Sequence, residues 1–527
     1  MMEHAETDVL IVGAGPTGLM MASQLARHGV RFQIIDRQTD RSKESRALVI
    51  HARSLELLQN LGLSESFLKT GRPSIGLEIY TNGQKRVQAD FGDIGAKDTP
   101  FPFIFFLSQA ETERLLREDL KSRGVDIEQP AELLSFASSD QGVVAQVRGA
   151  DQVVREVRSR YLIGCDGAHS PVRHALNLPF PGAPYAEDFL LADVEVKWPF
   201  EQDRLLLFLT ADGVLAHFPL TSRLSRLILT AGLRREDAPT EPGLDEITAK
   251  TESFTGVKAR LSNPQWLSRF RLHHRAVPRY RVGPVFLAGD AAHIHSPAGG
   301  QGMNTGLQDA ANLAWKIAWV LKGANPDLLD SYHGERHRIA EILLKTTDRL
   351  FRGAASQSRL GRFFRVNLAP LFVKFMLSNE NRRRRAFRRI SQLAIHYHPG
   401  AFVAEDDENA DEFFQKGPKA GARAPDAPLD GGTLFNAMKA PKAHVLFFSP
   451  SAKPPPLPDH LQSLIETHTL SRTPGRETLF ERYGVSDSAI YFIRPDGHVG
   501  YRTPGSDWHG LRLYLERFFP AAAVTGP

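Results

Sequence analysis

Three short runs of this chain combine glycine and aspartate just before a helical pattern, the residue types that hold an anionic nucleotide. In the first, Gly13-Ala14-Gly15-Pro16-Thr17-Gly18 reads G-x-G-x-x-G. Gly13 permits a tight turn, Gly15 lets the backbone approach a pyrophosphate, and Gly18 lets a helix pack close to a sheet. The helix start then offers unsatisfied N–H groups and the positive end of a dipole to phosphate oxygens. Asp36 follows at about the ~20-residue distance at which a carboxylate accepts hydrogen bonds from a ribose. The motif alone leaves FAD and NAD both open.

The second run is Asp166-Gly167-Ala168-His169-Ser170-Pro171-Val172-Arg173. The third begins Gly289-Asp290-Ala291-Ala292-His293 and continues through Pro297, Gly299, Gly300, Gly302, Met303 and Asn304. Each aspartate stands just past an apolar run that reads as a strand, which is where open α/β sheets bind ligands. A flavin ring at the third run would turn its N1/O2 edge to the start of the helix beyond, and Asp290 would hold the sugar-alcohol chain. That placement stabilises an anionic reduced flavin.

The elements that position these turns can be read from apolar spacing. Residues 8–12 (DVLIV), 32–35, 160–165 (RYLIGC) and 285–288 (VFLA) are strands, and helical patterns follow residues 18 and 306. Gly29 and Gly323 are stop signals for those helices. Alternating stretches at 205–209 and 227–229 place further strands in a sheet that covers the substrate, together with residues 75–91. The aromatic run 101–106 reads as a buried strand, with a pocket wall as the second reading. His217 stands where a pocket residue can take a phenol's proton, against the commoner role of a histidine as a structural residue.

The three motifs, in this order, resemble the single-component flavoprotein aromatic hydroxylases, the group of p-hydroxybenzoate hydroxylase and phenol hydroxylase. The resemblance spans at least residues 8–323. It implies an α/β fold: a Rossmann-like FAD-binding domain of the glutathione-reductase type interleaved with a β-sheet substrate domain. The FAD-binding domain would comprise residues 1–74, 101–180 and 275–350, and the substrate sheet residues 75–100 and 181–274. A helical segment at 351–402, a linker at 403–420 and a thioredoxin-like tail at 421–527 would follow.

The resemblance also assigns residues. FAD would be held by Gly13, Gly15, Thr17, Gly18, Asp36, Arg37, Arg46, Gln109, Asp166, Asp290, Gly300, Gly302, Met303 and Asn304. Arg46, His217 and Pro297 are the expected catalytic residues, with Arg46 near the pyrophosphate and the NAD(P)H approach and Pro297 at the reacting edge of the ring. Asp36 departs from the glutamate more usual in the family, which changes geometry rather than abolishing ribose binding. The implied reaction is reduction of FAD by NAD(P)H, formation of a C4a-hydroperoxide with O2, and transfer of its terminal oxygen to an electron-rich aromatic ring. NAD(P)H would bind transiently, without a Rossmann domain of its own.

Bulk properties agree with a small-molecule enzyme. The 527 residues exceed one core, and +5 from 65 basic and 60 acidic side chains is too mild an excess to point to nucleic acid. The single cysteine, Cys165, allows no intramolecular disulfide and no cysteine-based metal site; no metal is expected. The first seven residues lack a signal peptide's basic start, and no apolar run approaches the roughly 20 residues of a membrane helix. The expectation is therefore a cytoplasmic protein. The basic cluster 382–389 reads as a solvated helix face. A tail without cysteine cannot do dithiol chemistry, so packing or dimerisation is its expected role. Two other classes compete: an FAD-dependent reductase or dehydrogenase without oxygen insertion, and a flavin-binding scaffold. A halogenase is disfavoured, because no tryptophan stands in a W-x-W-x-I-P signature.

Overall fold

The fold comes from a computed structural model that describes residues 4–39, 47–90, 97–233, 239, 241–295, 299–355, 358–408, 410–450 and 453–519. Val9, Leu10 and Ile11 are wholly buried. An unbroken apolar run of this kind suits a strand covered on both faces. Their strand, His4–Val12, lies at the centre of a sheet ordered Arg281–Val282, Val285–Leu287, Val154–Gly164, His4–Val12, Phe32–Ile35, Ile127–Glu128. The four pairings from Val285–Leu287 to Ile127–Glu128 are parallel. The helices Pro16–Arg27 and Gln301–Leu321 pack against each other beside this sheet.

The second sheet has eight strands, and it is antiparallel apart from one pairing. Its long strands Gly182–Lys197 and Arg260–Ala276 run side by side, followed outward by Leu224–Leu233, Val214–Pro219, Leu205–Leu209 and the hairpin Gly76–Thr81/Gln84–Asp90. The alternation at 205–209 and 227–229 thus does mark strands. Alternate residues serve opposite faces. Leu206, Phe208, Leu215 and Leu227 pack toward the helix Leu244–Thr255, whereas Leu205, Leu207, Phe218 and Ile228 line a cavity. In the aromatic run only Phe105–Phe106 is a strand, buried and two residues long, and its Phe106 lines that cavity.

Residues 351–402 are largely helical where described, including Ala369–Leu377 and Glu380–Ile390. Residues 403–420 are not a linker. Ala404–Glu405 pairs with Val499–Pro504, and Phe414 on the helix Glu412–Lys416 is buried in the C-terminal core. The stretch 459–470 divides between two elements. Only Asp459–Gln462 is helical, and Ile465–Leu470 is a strand parallel to Ala443–Phe448. The β-branched alternation of Ile465, Thr467 and Thr469 favours the pleated form.

The C-terminal sheet runs Ala404–Glu405, Val499–Pro504, Ala489–Ile493, Ala443–Phe448, Ile465–Leu470. Its two faces have different partners. Val445, Phe447, Ile490 and Phe492 join the core of the first sheet, while Leu446, Phe448, Tyr491 and Ile493 form a core of their own.

Candidate active site

The three motifs meet through contacts that only small residues allow. A Cβ on Gly13 (φ +103°) would stand 2.5 Å from the Cys165 carbonyl oxygen, and one on Gly18 would stand 1.9 Å from the Gly13 oxygen. The first turn therefore rests on the strand end that carries Asp166. Thr17 closes the other side. A Cβ on Gly289 or Gly306 would meet its Oγ1 at 2.4 or 2.3 Å. Arg173, the last residue of the second motif, donates from Nη1 to the Ala291 carbonyl in the third at 3.1 Å and from Nη2 to the Ala168 carbonyl at 2.8 Å.

These turns border a cavity of about 2080 Å³. Ordinary small-molecule pockets are roughly 300–1,000 Å³, so this space can take a large cofactor and a substrate together. Gly15, Thr17, Gln109, Asp290, Gly300, Gly302 and Met303 all line it, which brings half of the fourteen expected cofactor residues to one surface.

The lining fits a flavin dinucleotide on several counts. The helices Pro16–Arg27 and Gln301–Leu321 begin at Gly15 and Gly300, neither of which caps its helix with a side chain. Their first N–H groups are left for a ligand. A Cβ on Gly15 or on Gly302 would meet nothing within 4 Å, so the space beside them is open. Asp290 is exposed on the cavity wall. Asp166 accepts from the Val172 N–H at 3.0 Å through Oδ2, while its Oδ1 is buried without a partner among the described residues. Burial raises the Asp166 pKa against the hydrogen bonds that lower it.

Other expected residues act at one remove. Asp36 accepts from the Ala14 N–H at 2.6 Å and from the Gln38 N–H at 2.8 Å, so it shapes the first turn, and Arg37 beside it is exposed. Asn304 is buried and does not line the cavity. Its Oδ1 accepts from the His51 N–H at 2.8 Å, and its Nδ2 donates to the Val49 carbonyl at 2.8 Å. It ties the long helix to the segment that carries Val49 and His51, both of which line the cavity. Arg46 and Pro297 lie outside the described residues.

His217 is a correction. It sits on Val214–Pro219 with its side chain on the face away from the cavity, wholly buried beside Trp198. Its Nδ1 is 3.2 Å from the Arg204 carbonyl and its Nε2 is 3.0 Å from Ser225 Oγ. Burial holds its pKa down to about 4. Phe218, one residue on, faces the cavity instead.

Sequence reasoning missed a buried network beneath the third motif. Asp309 accepts from His293 Nε2 at 2.7 Å, from Arg336 Nε at 2.8 Å and from the Gly289 N–H at 3.1 Å. Its signal was a lone carboxylate inside an apolar helical stretch, since buried charges are paired. Its role is to fix Gly289, and so the backbone beside Asp290. His295 was missed as well: it is buried, lines the cavity and has neither ring nitrogen bonded among the described residues.

The model of the FAD binding domain family matches residues 6–347. The chain is 32% identical to rifampicin monooxygenase of Streptomyces venezuelae over 530 residues, covering 98% of this chain and 99% of the relative. It is 35% identical to pentachlorophenol 4-monooxygenase of Sphingobium chlorophenolicum over 435 residues, 81% of this chain and 77% of the relative. Among solved structures, the anhydrotetracycline hydroxylase OxyS of Streptomyces rimosus superposes with a TM-score of 0.74 at 28% identity, covering 98% of this chain and 99% of that one.

Proposed function

On the premise that this chain belongs to the FAD binding domain family and is a flavin-dependent aromatic monooxygenase, we propose that it hydroxylates a phenolic or polyketide-like aromatic compound with O2 and NAD(P)H. The carrying observation is the single cavity in which the three motifs and the apolar face of the second sheet meet. Its volume favours a substrate of several fused rings over a single-ring phenol. Rifampicin and anhydrotetracycline, named for the relatives, are bulky molecules of that kind.

Bound FAD supplies the hydride-accepting and oxygen-activating chemistry. The chain's own residues bind, orient and exclude water. The N–H groups that follow Gly15 would take the pyrophosphate, and Asp290 the sugar-alcohol chain. The start of Gln301–Leu321, with Gly302 and Met303, would face the pyrimidine edge of the ring and favour negative charge there. Leu205, Leu207, Phe218, Ile228 and Phe106 would hold the aromatic substrate and keep water from the reacting centre. By resemblance, Arg46 keeps its proposed place near the pyrophosphate and NAD(P)H, and Pro297 its place at the reacting edge. Arg173 and Arg275 also line the cavity and would supply positive charge for the phosphates of NAD(P)H.

The C-terminal unit is part of this reading as a thioredoxin-like domain. Supporting it are a strand order with one parallel and two antiparallel pairings among the four long strands, and helices between them. Its role is packing, because the lone cysteine, Cys165, lies in the first sheet's unit. A reducing, cytoplasmic setting is also proposed; among the described residues no helix is long and apolar enough to cross a membrane.

The test is NADH and NADPH oxidation by the yellow protein with a panel of single-ring phenols and polycyclic aromatics under ¹⁸O2. Substrate-stimulated oxidation with one ¹⁸O in the product is expected. Stimulated oxidation without labelled product would instead favour a reductase.

A further inference from the structure

Away from the cavity, three metal-ligating side chains converge on one face of the C-terminal sheet. The strands Ala443–Phe448 and Ile465–Leu470 run parallel, with His444 opposite Glu466 and Leu446 opposite His468. Residues directly opposite in a sheet share a face, as do residues two apart on one strand. His444, Glu466 and His468 are therefore brought together by register alone. His444 Nδ1 is 3.0 Å from His468 Nε2 and 3.8 Å from Glu466 Oε2. One donor atom from each of the three lies within 4.8 Å of the others.

We propose that His444, Glu466 and His468 form a three-ligand site for a divalent cation of the Zn2+ class, with water as the fourth ligand. Zn2+ holds nitrogen and oxygen ligands at about 2.0–2.2 Å, which sets tetrahedral donors roughly 3.3 Å apart. The observed 3.0 and 3.8 Å lie on either side of that value. Two imidazoles and a carboxylate suit zinc better than magnesium or calcium, which prefer all-oxygen shells. The Glu466 side chain is 43% exposed, so the site opens to solvent on its side.

The location gives the ion a task. Ile465–Leu470 is an edge strand held to the sheet by Ala443–Phe448. The segment just before Ala443 docks on the end of Pro16–Arg27, where Arg27 donates to the Lys439 carbonyl at 2.8 Å and the Ala440 carbonyl at 3.2 Å. Arg27 also acts on His444 as a nearby positive charge, which Glu466 offsets. A bound ion would staple the edge strand to the strand that carries this junction. The ordinary alternative is a proton shared between the two imidazoles.

The holoenzyme is stripped with EDTA, exchanged into metal-free buffer and titrated with ZnSO4 by calorimetry, with metal content and thermal melts measured in parallel. One zinc per chain and a zinc-dependent rise in Tm are expected. His468→Gln should abolish both while leaving flavin absorbance and turnover unchanged. Glu466→Gln should weaken binding by at least the roughly tenfold that loss of an outer-shell carboxylate costs, because here a ligand and its charge are lost. No zinc uptake by the wild type would overturn the site. So would equal affinity in His468→Gln, because the zinc would then sit on another pair such as His333 and His337, whose rings are 4.7 Å apart.

Discussion

Gly15 and Gly18 stand in the same motif but are glycine for different reasons. Gly15 has an extended backbone that any residue adopts, with open space beside it, whereas a side chain on Gly18 would collide with the Gly13 carbonyl. Gly15→Val should therefore fold with the Tm of the wild-type apoprotein and lose FAD, as should Asp290→Ala. Gly18→Val should lose stability by about 1–3 kcal/mol or more through overpacking. The ratio of flavin to protein absorbance, set beside a thermal melt, separates the two; a yellow Gly15→Val would reject the pyrophosphate assignment.

His217 supplies a second test at this scale. Its folded pKa of about 4 lies below the ordinary 6.5, so between these values the unfolded chain binds a proton that the folded chain excludes. The stability from keeping His217 neutral is complete above about pH 6.5 and is lost progressively as pH falls toward 4, at about 1.4 kcal/mol per pH unit. His217→Gln should flatten the acid limb of the Tm profile by up to that slope and leave the pH dependence of kcat unmoved. A shifted kcat profile would restore the catalytic role that its geometry denies.

Among the elements, the long helix Gln301–Leu321 is tied to its neighbours at two levels. Its first turn is bound to the Val49–His51 segment by Asn304, and its middle is held by Asp309 to His293, Arg336 and Gly289. Asn304→Ala would leave the His51 N–H and the Val49 carbonyl buried without their partner, at about 1–3 kcal/mol for each unsatisfied group. We expect a lower Tm and weaker FAD binding in titrations of apoprotein. Asn304→Asp keeps the acceptor but not the donor, and should fall between the two. Retained FAD affinity at reduced Tm would show that the helix start holds its place without this tie.

Across the whole molecule, the C-terminal unit is bound to the rest by buried charge. Arg494 spans Glu335 at 2.6 and 2.8 Å and Asp496 at 2.6 Å, while Lys316, on the long helix, reaches Glu335 at 2.8 Å. Arg423 bonds Glu56 at 2.8 and 2.5 Å and Asp98 at 2.9 Å, and Trp319 packs against Phe518. Removing one partner of a buried pair costs about 3–5 kcal/mol, because a charge is left uncompensated. Arg494→Met should therefore lower Tm for the entire chain, and deletion of residues 404–527 should yield no soluble flavoprotein. A single cooperative transition in calorimetry of the full chain is expected. Two separate transitions, or a stable yellow truncated protein, would show the units to be independent.

The sequence by itself determined the dinucleotide turns, the order of the motifs and the strands that carry them. Those features rest on local sterics: a tight turn, a close approach and a helix start each demand particular residues at fixed spacing, whatever lies elsewhere in the chain. Thr17, Gly302 and Met303, which the family resemblance assigned, and Asp290, just past its strand, stand on the cavity wall for that reason. Only the tertiary structure decided which face His217 occupies, because a shift of one residue along a strand exchanges core for cavity. It alone revealed Asn304 as a tie, the pairing of Asp309 with Arg336, and the C-terminal unit as part of the main core. Those depend on residues from 27 to more than 300 positions apart being brought into contact, and no local spacing encodes such a pairing.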